Sequence, residues 1–158
     1  MRVAFLGPPT LSHGWPTFAR ILEACGELVA YAFHHFATTE ELRPSRNLVS
    51  AAAEGSLRDL LIAQRIDLVV MANEGCEPFS ALALEALAAG SDLVTLAHSG
   101  HPAALVESER RGRVFAADDE VLEFFASGKA IAYARERDRF PRLVQAVRSE
   151  DVLSALIG

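Results

Sequence analysis

The sequence predicts an α/β domain: a three-layer, Rossmann-like unit built on a mainly parallel sheet. Short β-branched and aromatic runs alternate with longer segments rich in alanine and leucine, the pattern of successive strand and helix units rather than of a bundle or a sandwich. Two of the runs, Val3 to Leu6 and Ile66 to Met71, are almost continuously apolar, as parallel strands covered on both faces require. The segments between the runs start and stop on residues that suit helix termini.

Taken in order, Val3 to Leu6 is the first strand; five apolar residues lie between Arg2 and Pro8, too few for the apolar region of a signal peptide. Pro16 to Cys25 follows as a helix, with Gly26 after its end and Phe18, Ile21, Leu22 and Cys25 as its apolar stripe. Leu28 to Phe33 is the second strand and Asn47 to Ala51 a weak third. Ser56 caps a helix running to Gln64 that buries Leu57, Leu60 and Leu61. After the strand Ile66 to Met71, Pro78 opens a helix to Ala89, which Gly90 stops, with Phe79, Leu82, Ala83, Ala86 and Leu87 on one side. Asp92 to Leu96 and Arg113 to Ala116 are the last strands. Asp118 and Asp119 precede a helix bearing Val121, Leu122, Phe124 and Phe125, and from Gly128 the chain is helical and charged, with Pro141 splitting it. The mixed signs of Arg135, Glu136, Arg137, Asp138 and Arg139 read as a solvated face.

With 158 residues, 51% of them hydrophobic, the chain fits one domain over 1–158, with C-terminal helices from about residue 129, and leaves no room for two full cores. Its 15 basic and 21 acidic residues give a net charge of −6, which argues against a surface built for nucleic acid or anionic lipid. The two cysteines, Cys25 and Cys76, form no CxxC, so neither a disulfide framework nor a structural zinc site is supported and a reduced, cytoplasmic setting fits. No apolar stretch reaches the length of a bilayer-spanning helix; the alanine-rich run Leu82 to Ala89 is broken by Glu85, and a soluble chain is expected.

Ligands of parallel sheets bind beyond the carboxyl ends of the strands, which places the interest after Leu6, Phe33, Met71 and Leu96. The first of these loops, Gly7 to Trp15, lacks a dinucleotide fingerprint, since its second glycine comes seven residues after the first. The second strand ends in Phe-His-His-Phe, not in the acidic residue that holds a ribose in NAD domains. The stretch Asn73 to Glu85 is richer. Pro78 suits a first helical turn, which would leave the amides of Phe79, Ser80 and Ala81 free to face an anion. Glu77 stands at that mouth. Glu85 lies about 12 Å further along a helix axis and roughly 80° around it if both were helical. The two carboxylates therefore cannot share a proton or a metal ion. They could hold hydroxyl groups at the two ends of an elongated ligand, and a sugar nucleotide has that shape. The plainer readings are that Glu77 caps the helix and that Glu85 lies on its solvent side.

Glu77-Pro-Phe-Ser-Ala-Leu-Ala-Leu-Glu85-Ala-Leu-Ala-Ala-Gly90 resembles the E-x7-E element in the C-terminal, nucleotide-sugar-binding half of retaining GT-B glycosyltransferases of the large family called family 4. Val3-Ala-Phe-Leu-Gly7 with His13-Gly14-Trp15 is similar to that domain's first strand and Lys-Gly turn. Ser99-Gly-His-Pro looks like its Gly-Gly loop, and Gly112-Arg-Val-Phe-Ala-Ala-Asp-Asp119 like its final strand and acidic turn, so that residues 3–125 are covered. The resemblance implies transfer of a hexose from an NDP-sugar with retention of configuration. Glu77 would be the catalytic-site carboxylate on the donor sugar and Glu85 would hold the ribose. The amides of Phe79, Ser80 and Ala81 would meet sugar or diphosphate, and Gly7 and His13 would line the donor site from the first loop. It implies no metal and no cofactor beyond the NDP-sugar substrate, because an Arg and a Lys neutralise the departing diphosphate in that family. Here Pro8 and His13 stand in those places, and Ala103 stands where an acid is typical. A partner is implied as well: an acceptor-binding N-terminal domain or subunit, without which the chain is inactive.

Two alternatives stay open. Ser56-Leu-Arg-Asp-Leu-Leu to Val70 and the Ala-Ala-Gly90 helix end are similar to the NAD(P)-binding half of Gfo/Idh-type oxidoreductases, although the glycine fingerprint and the Glu-Lys-Pro element are missing. A non-catalytic nucleotide-binding or interaction module is the other, supported by Pro8 and His13. Of the remaining candidates, His98 and His101 form an HxxH pair that Gly100 and Pro102 place in a loop rather than on a metal-binding helix. His34 and His35 point to opposite faces, one packed and one wet. Trp15 and Phe18 read as core packing, and Cys76 lacks a histidine at nucleophile spacing.

Overall fold

The structure, a computed structural model, describes residues 1–137 apart from residues 44 and 54. Six strands form one sheet in the order β3-β2-β1-β4-β5-β6, every neighbouring pair parallel. They are β1 (Arg2–Leu6), β2 (Ala32–Ala37), β3 (Leu48–Ala52), β4 (Leu68–Met71), β5 (Asp92–Leu96) and β6 (Gly112–Phe115). The helices are α1 (Trp15–Cys25), α2 (Leu57–Ala63), α3 (Ala81–Ala88), α4 (His101–Glu109), α5 (Asp118–Ala126) and α6 (Lys129–Glu136). The architecture is a Rossmann-like α/β unit, a parallel sheet with helices on both faces.

Side-chain alternation along the strands divides the interior into two cores. Val3, Phe5, Phe33, Leu68, Val70 and Val94 pack under α1, α5 and α6, whereas Ala4, Leu6, Phe36, Val69, Met71 and Leu93 pack under α2, α3 and α4. Both faces being covered is the physical reason that β1 and β4 read as unbroken apolar runs. Phe18, Ile21 and Cys25 bury the predicted stripe of α1, and Ser56 caps α2 by accepting from the Asp59 amide at 3.3 Å. Among the described residues, no helix is long and apolar enough to cross a membrane.

Several elements depart from the sequence expectation. Leu28 to Tyr31 is a turn, closed by Leu28 N–H to Cys25 O and Tyr31 N–H to Leu28 O, and β2 instead runs on through His34 and His35. Both histidines are buried, not one packed and one wet. β6 begins one residue earlier than expected, at Gly112, whose backbone lies so close to Leu93 that a Cβ would come within 2.0 Å of its carbonyl oxygen. His101 and Pro102 open a helix rather than a loop: Pro occupies the first turn of α4, where its missing N–H breaks no bond. Asp118 and Asp119 precede Val121 as expected, within the first turn of α5. Arg137 is not part of a solvated face; its side chain is 5% exposed and ion-paired. Asp138, Arg139 and the expected break at Pro141 lie outside the described residues.

Candidate functional site

The strand order reverses between β1 and β4. β1 leads to α1 on one face and β4 to α3 on the other, so the loops 7–14 and 72–80 diverge at the switch point, where open α/β sheets of this kind place their ligand crevice at the carboxyl edge. The loop 97–100 after β5 forms its next wall. The walls touch closely enough to demand glycine. Gly14 sits at φ 79°, and a Cβ there would lie 2.2 Å from the carbonyl oxygen of Ala72. Gly7, at φ 89°, donates its N–H to Phe36 O at 2.9 Å and lies against Leu82 of α3, whose Cδ1 is 3.4 Å from where its Cβ would be.

Glu77 is fixed at the mouth of this crevice by its backbone and its side chain together. Its N–H donates to Ser99 O at 3.1 Å and its carbonyl accepts from His101 N–H at 2.7 Å, a parallel bridge that carries the β4–β5 pairing past the strand ends. The carboxylate accepts from Asn73 Nδ2 at 2.7 Å, and Asn73 is itself buried, its carbonyl taking the Ser99 hydroxyl at 3.0 Å. One hydrogen bond leaves the partly buried carboxylate with unused acceptor sites for a ligand hydroxyl. Nothing in the sequence spacing marked Asn73, because its role depends on the loop folding back over four residues.

The helix after β4 starts later than the sequence predicts. Pro78 and Phe79 precede α3, and Ser80 is its N-cap, its hydroxyl accepting from the Ala83 amide at 3.3 Å. Of the three amides expected to face an anion, that of Ser80 donates to His101 Nδ1 at 2.9 Å, and that of Phe79 lies ahead of the helix. Only Ala81, together with Leu82, supplies N–H groups without an intrahelical acceptor. Because Glu77 is not helical, the helical ruler between Glu77 and Glu85 does not apply. His101 was missed as a site residue: it braces the α3 start, and Phe79, 59% exposed, stacks on its ring with centroids 5.3 Å apart and planes at 17°. The Ser-x-x-Ala spacing before the apolar run was the available signal for the true start.

Glu85 is exposed on the second turn of α3, about 60° around the axis from Leu82. His13 sits beside Gly7, and its Nδ1 contacts the hydroxyls of Thr10 at 2.7 Å and Ser12 at 3.2 Å. Cys76 is exposed next to Glu77. The loops 7–14, 72–80 and 97–100 contain neither lysine nor arginine. Beneath them His35 donates Nε2–H to Gly7 O at 2.9 Å. Burial holds the pKa of His35 and of His34 below the ordinary histidine value.

No family model matches the chain, and no curated protein matches it. Solved structures do. The C-terminal domain of a glycosyl transferase group 1 family protein (LpcC) from Francisella tularensis superposes with a TM-score of 0.61 at 14% identity, over 98% of this chain and 84% of that one. The spinosyn rhamnosyltransferase SpnG, solved with spinosyn aglycone, gives 0.59 at 19% identity over 98% of this chain. This chain spans 42% of the length of the rhamnosyltransferase.

Proposed function

We propose that this chain is the donor-binding half of a retaining glycosyltransferase, taking the hexose of an NDP-sugar and transferring it only when joined by an acceptor-binding partner domain. The observation that carries the reading is the Glu77 carboxylate, held by Asn73 at the switch point between β1 and β4, beside the capped start of α3. The likeness to two glycosyltransferase structures, one of them a C-terminal domain of similar length, supports it. In this reading a sugar hydroxyl donates to Glu77 and the ribose diol to Glu85, while the amides of Ala81 and Leu82 face the diphosphate with the positive end of the α3 dipole. Phe79 and Ser80 shape the floor, and Gly7 lets the backbone approach the ligand. His13 is the one ionisable group of the 7–14 loop that could meet the departing phosphate.

Calorimetric titration with UDP-, GDP- and ADP-sugars tests the proposal. Losing a hydrogen bond to a charged acceptor costs about 1.5–3 kcal/mol, so Glu77→Gln and Glu85→Ala should each weaken binding roughly 10- to 100-fold. A wild type that binds none of the three, or a Glu85→Ala variant that binds as well as wild type, removes the sugar-nucleotide claim. The lack of Lys and Arg in the three loops favours one second reading, a nucleotide-binding module without transfer chemistry. Pro8→Arg combined with His13→Lys should tighten donor binding in either case. Only the glycosyltransferase reading expects that variant, with its partner domain supplied, to release NDP.

A further inference from the structure

We propose that His35 is a positioning residue for the crevice: its buried ring holds the Gly7 peptide, and with it the 7–14 loop, only while the ring is uncharged. The inference rests on the crevice being the donor site. His35 is wholly buried in β2, between Phe5 of β1 and Ser50 of β3 in the strand register, and its ring lies 5.1 Å from that of Trp15 at the start of α1. A carbonyl can only accept, so the 2.9 Å contact with Gly7 O fixes the ring proton on Nε2. Gly7 N–H is bonded to Phe36 O, so the peptides on both sides of Gly7 are tied to β2. The other ring nitrogen, Nδ1, is buried with no hydrogen-bond partner among the described residues.

A second proton would therefore place a charge and an unpaired N–H among aromatic rings. The Gly7 carbonyl and the Glu41 carboxylate of the turn after β2 favour the cation. Burial outweighs them and lowers the pKa. Glu23 and Arg43 line a surface groove with Trp15, His13 Cδ2 stands 3.9 Å from the Cβ position of Gly7, and the residues in register with His35 across the sheet, Phe5 of β1 and Ser50 of β3, carry no charge. The sign follows from linkage. A released ring, with a pKa near the ordinary value of about 6.5, takes up a proton more readily than the seated one. Lowering the pH below that value therefore favours the released loop, and donor binding falls with it.

Trp15 is the single tryptophan of the chain and reports on the neighbouring ring, because an imidazolium quenches indole emission. On acidification below about pH 6.5, wild type and His13→Ala should both lose emission, and His35→Gln, which keeps an N–H donor but takes up no proton, should not. At about pH 8 the His35→Leu variant, shown folded by its thermal transition, should bind the NDP-sugar roughly tenfold more weakly than wild type, with His35→Gln restoring affinity to within about threefold. From pH 8 to about pH 5.5 the affinity of wild type should fall, by no more than roughly tenfold, and that of His35→Gln should not follow it. The proposal is overturned if His35→Gln follows the wild-type pH profile, or if the emission change survives in His35→Gln and vanishes in His13→Ala. Should no NDP-sugar bind, the donor reading alone fails. Hydrogen exchange at the Gly14 and Trp15 amides, bonded to Leu11 O and Thr10 O, then decides whether His35 holds the loop: faster exchange in His35→Leu supports it, and unchanged exchange refutes it.

Discussion

Replacing Asp92 by asparagine should unfold this protein more readily than any exposed charge change, because Asp92 anchors a buried ion cluster at the amino ends of β4 and β5. Its Oδ1 accepts from Arg111 Nε at 2.7 Å and from an Arg137 amino group at 3.2 Å, and its Oδ2 from the Tyr133 hydroxyl at 2.6 Å. Arg137 also reaches Asp67 at 3.2 Å and the Gly90 carbonyl at 2.7 Å. All four charged side chains are at most 8% exposed, and among the described residues two cations face two anions. Asp92→Asn removes one anion and turns an amide N–H₂ toward guanidinium donors, leaving a buried uncompensated cation. Breaking such a pair costs about 3–5 kcal/mol. In a chain of this size that lowers the thermal midpoint by roughly 6–20 °C. Urea denaturation followed by circular dichroism, with the slope unchanged, measures the loss directly. Asp119→Asn, which removes the partner of Arg20 in a pair 46% and 84% exposed, is the internal reference and should cost less than about 1 kcal/mol. The double variant Asp92→Asn/Arg111→Met restores neutrality and should be less damaged than the sum of its single changes. Equal costs for Asp92→Asn and Asp119→Asn would refute the reasoning.

Two further outcomes are expected. Burial raises both tyrosines: Tyr31, whose hydroxyl donates to Phe125 O at 2.6 Å, is pushed up to about 12, and Tyr133 is raised as well. An absorbance titration near 295 nm should show neither ionising near the usual value of about 10. The native state then holds protons that the unfolded chain gives up, so stability should fall as pH rises above about 10. An inflection near 10 in the folded protein would contradict the burial. Gly14→Ala should destabilise the fold by about 1–3 kcal/mol, since its φ of 79° and the 2.2 Å approach to Ala72 O leave no room for a Cβ. A urea midpoint equal to that of wild type would show that the 7–14 loop relaxes freely.

Where local chemistry decides structure, the sequence could be read to the residue. Asp92 to Leu96 is β5 as expected, and Ser56, Gly26 and Gly90 mark helix ends as expected. The errors arise where tertiary contacts overrule local preference. Leu28 and Val29 look like strand residues, yet they lie exposed in a turn, while His34 and His35 occupy the interior because the sheet covers them. In sequence Gly100 marks a loop, but a Cβ there would meet Glu77 and Cys76 at under 3.0 Å, so it is required by close packing at the start of a helix. The candidate site was visible in part. Glu77, Gly7 and His13 reach one crevice because the topology brings β1 and β4 together, and that topology follows from the strand and helix alternation. His101 and His35 escaped, because each acts through a contact 21 or 28 positions away in the chain. The ion cluster was equally hidden, with Arg111 and Asp92 19 positions apart and Arg137 and Asp67 70 apart.

Placement of charge separates the two ends of the sheet. The cluster of Asp67, Asp92, Arg111 and Arg137 lies buried at the amino ends of β4 and β5, where it ties α6 to the sheet. The crevice lies at the carboxyl ends, bordered by loops that carry Glu74, Glu77, His13 and His98 but no Lys or Arg. A diphosphate bound there would meet main-chain amides, a helix dipole and an imidazole, each worth less than a guanidinium fork. The chain therefore spends its buried guanidinium groups on holding the fold and leaves the rim with little fixed positive charge. If the crevice takes a diphosphate as proposed, His13 is the one side chain of the 7–14 loop that could supply a counter-charge.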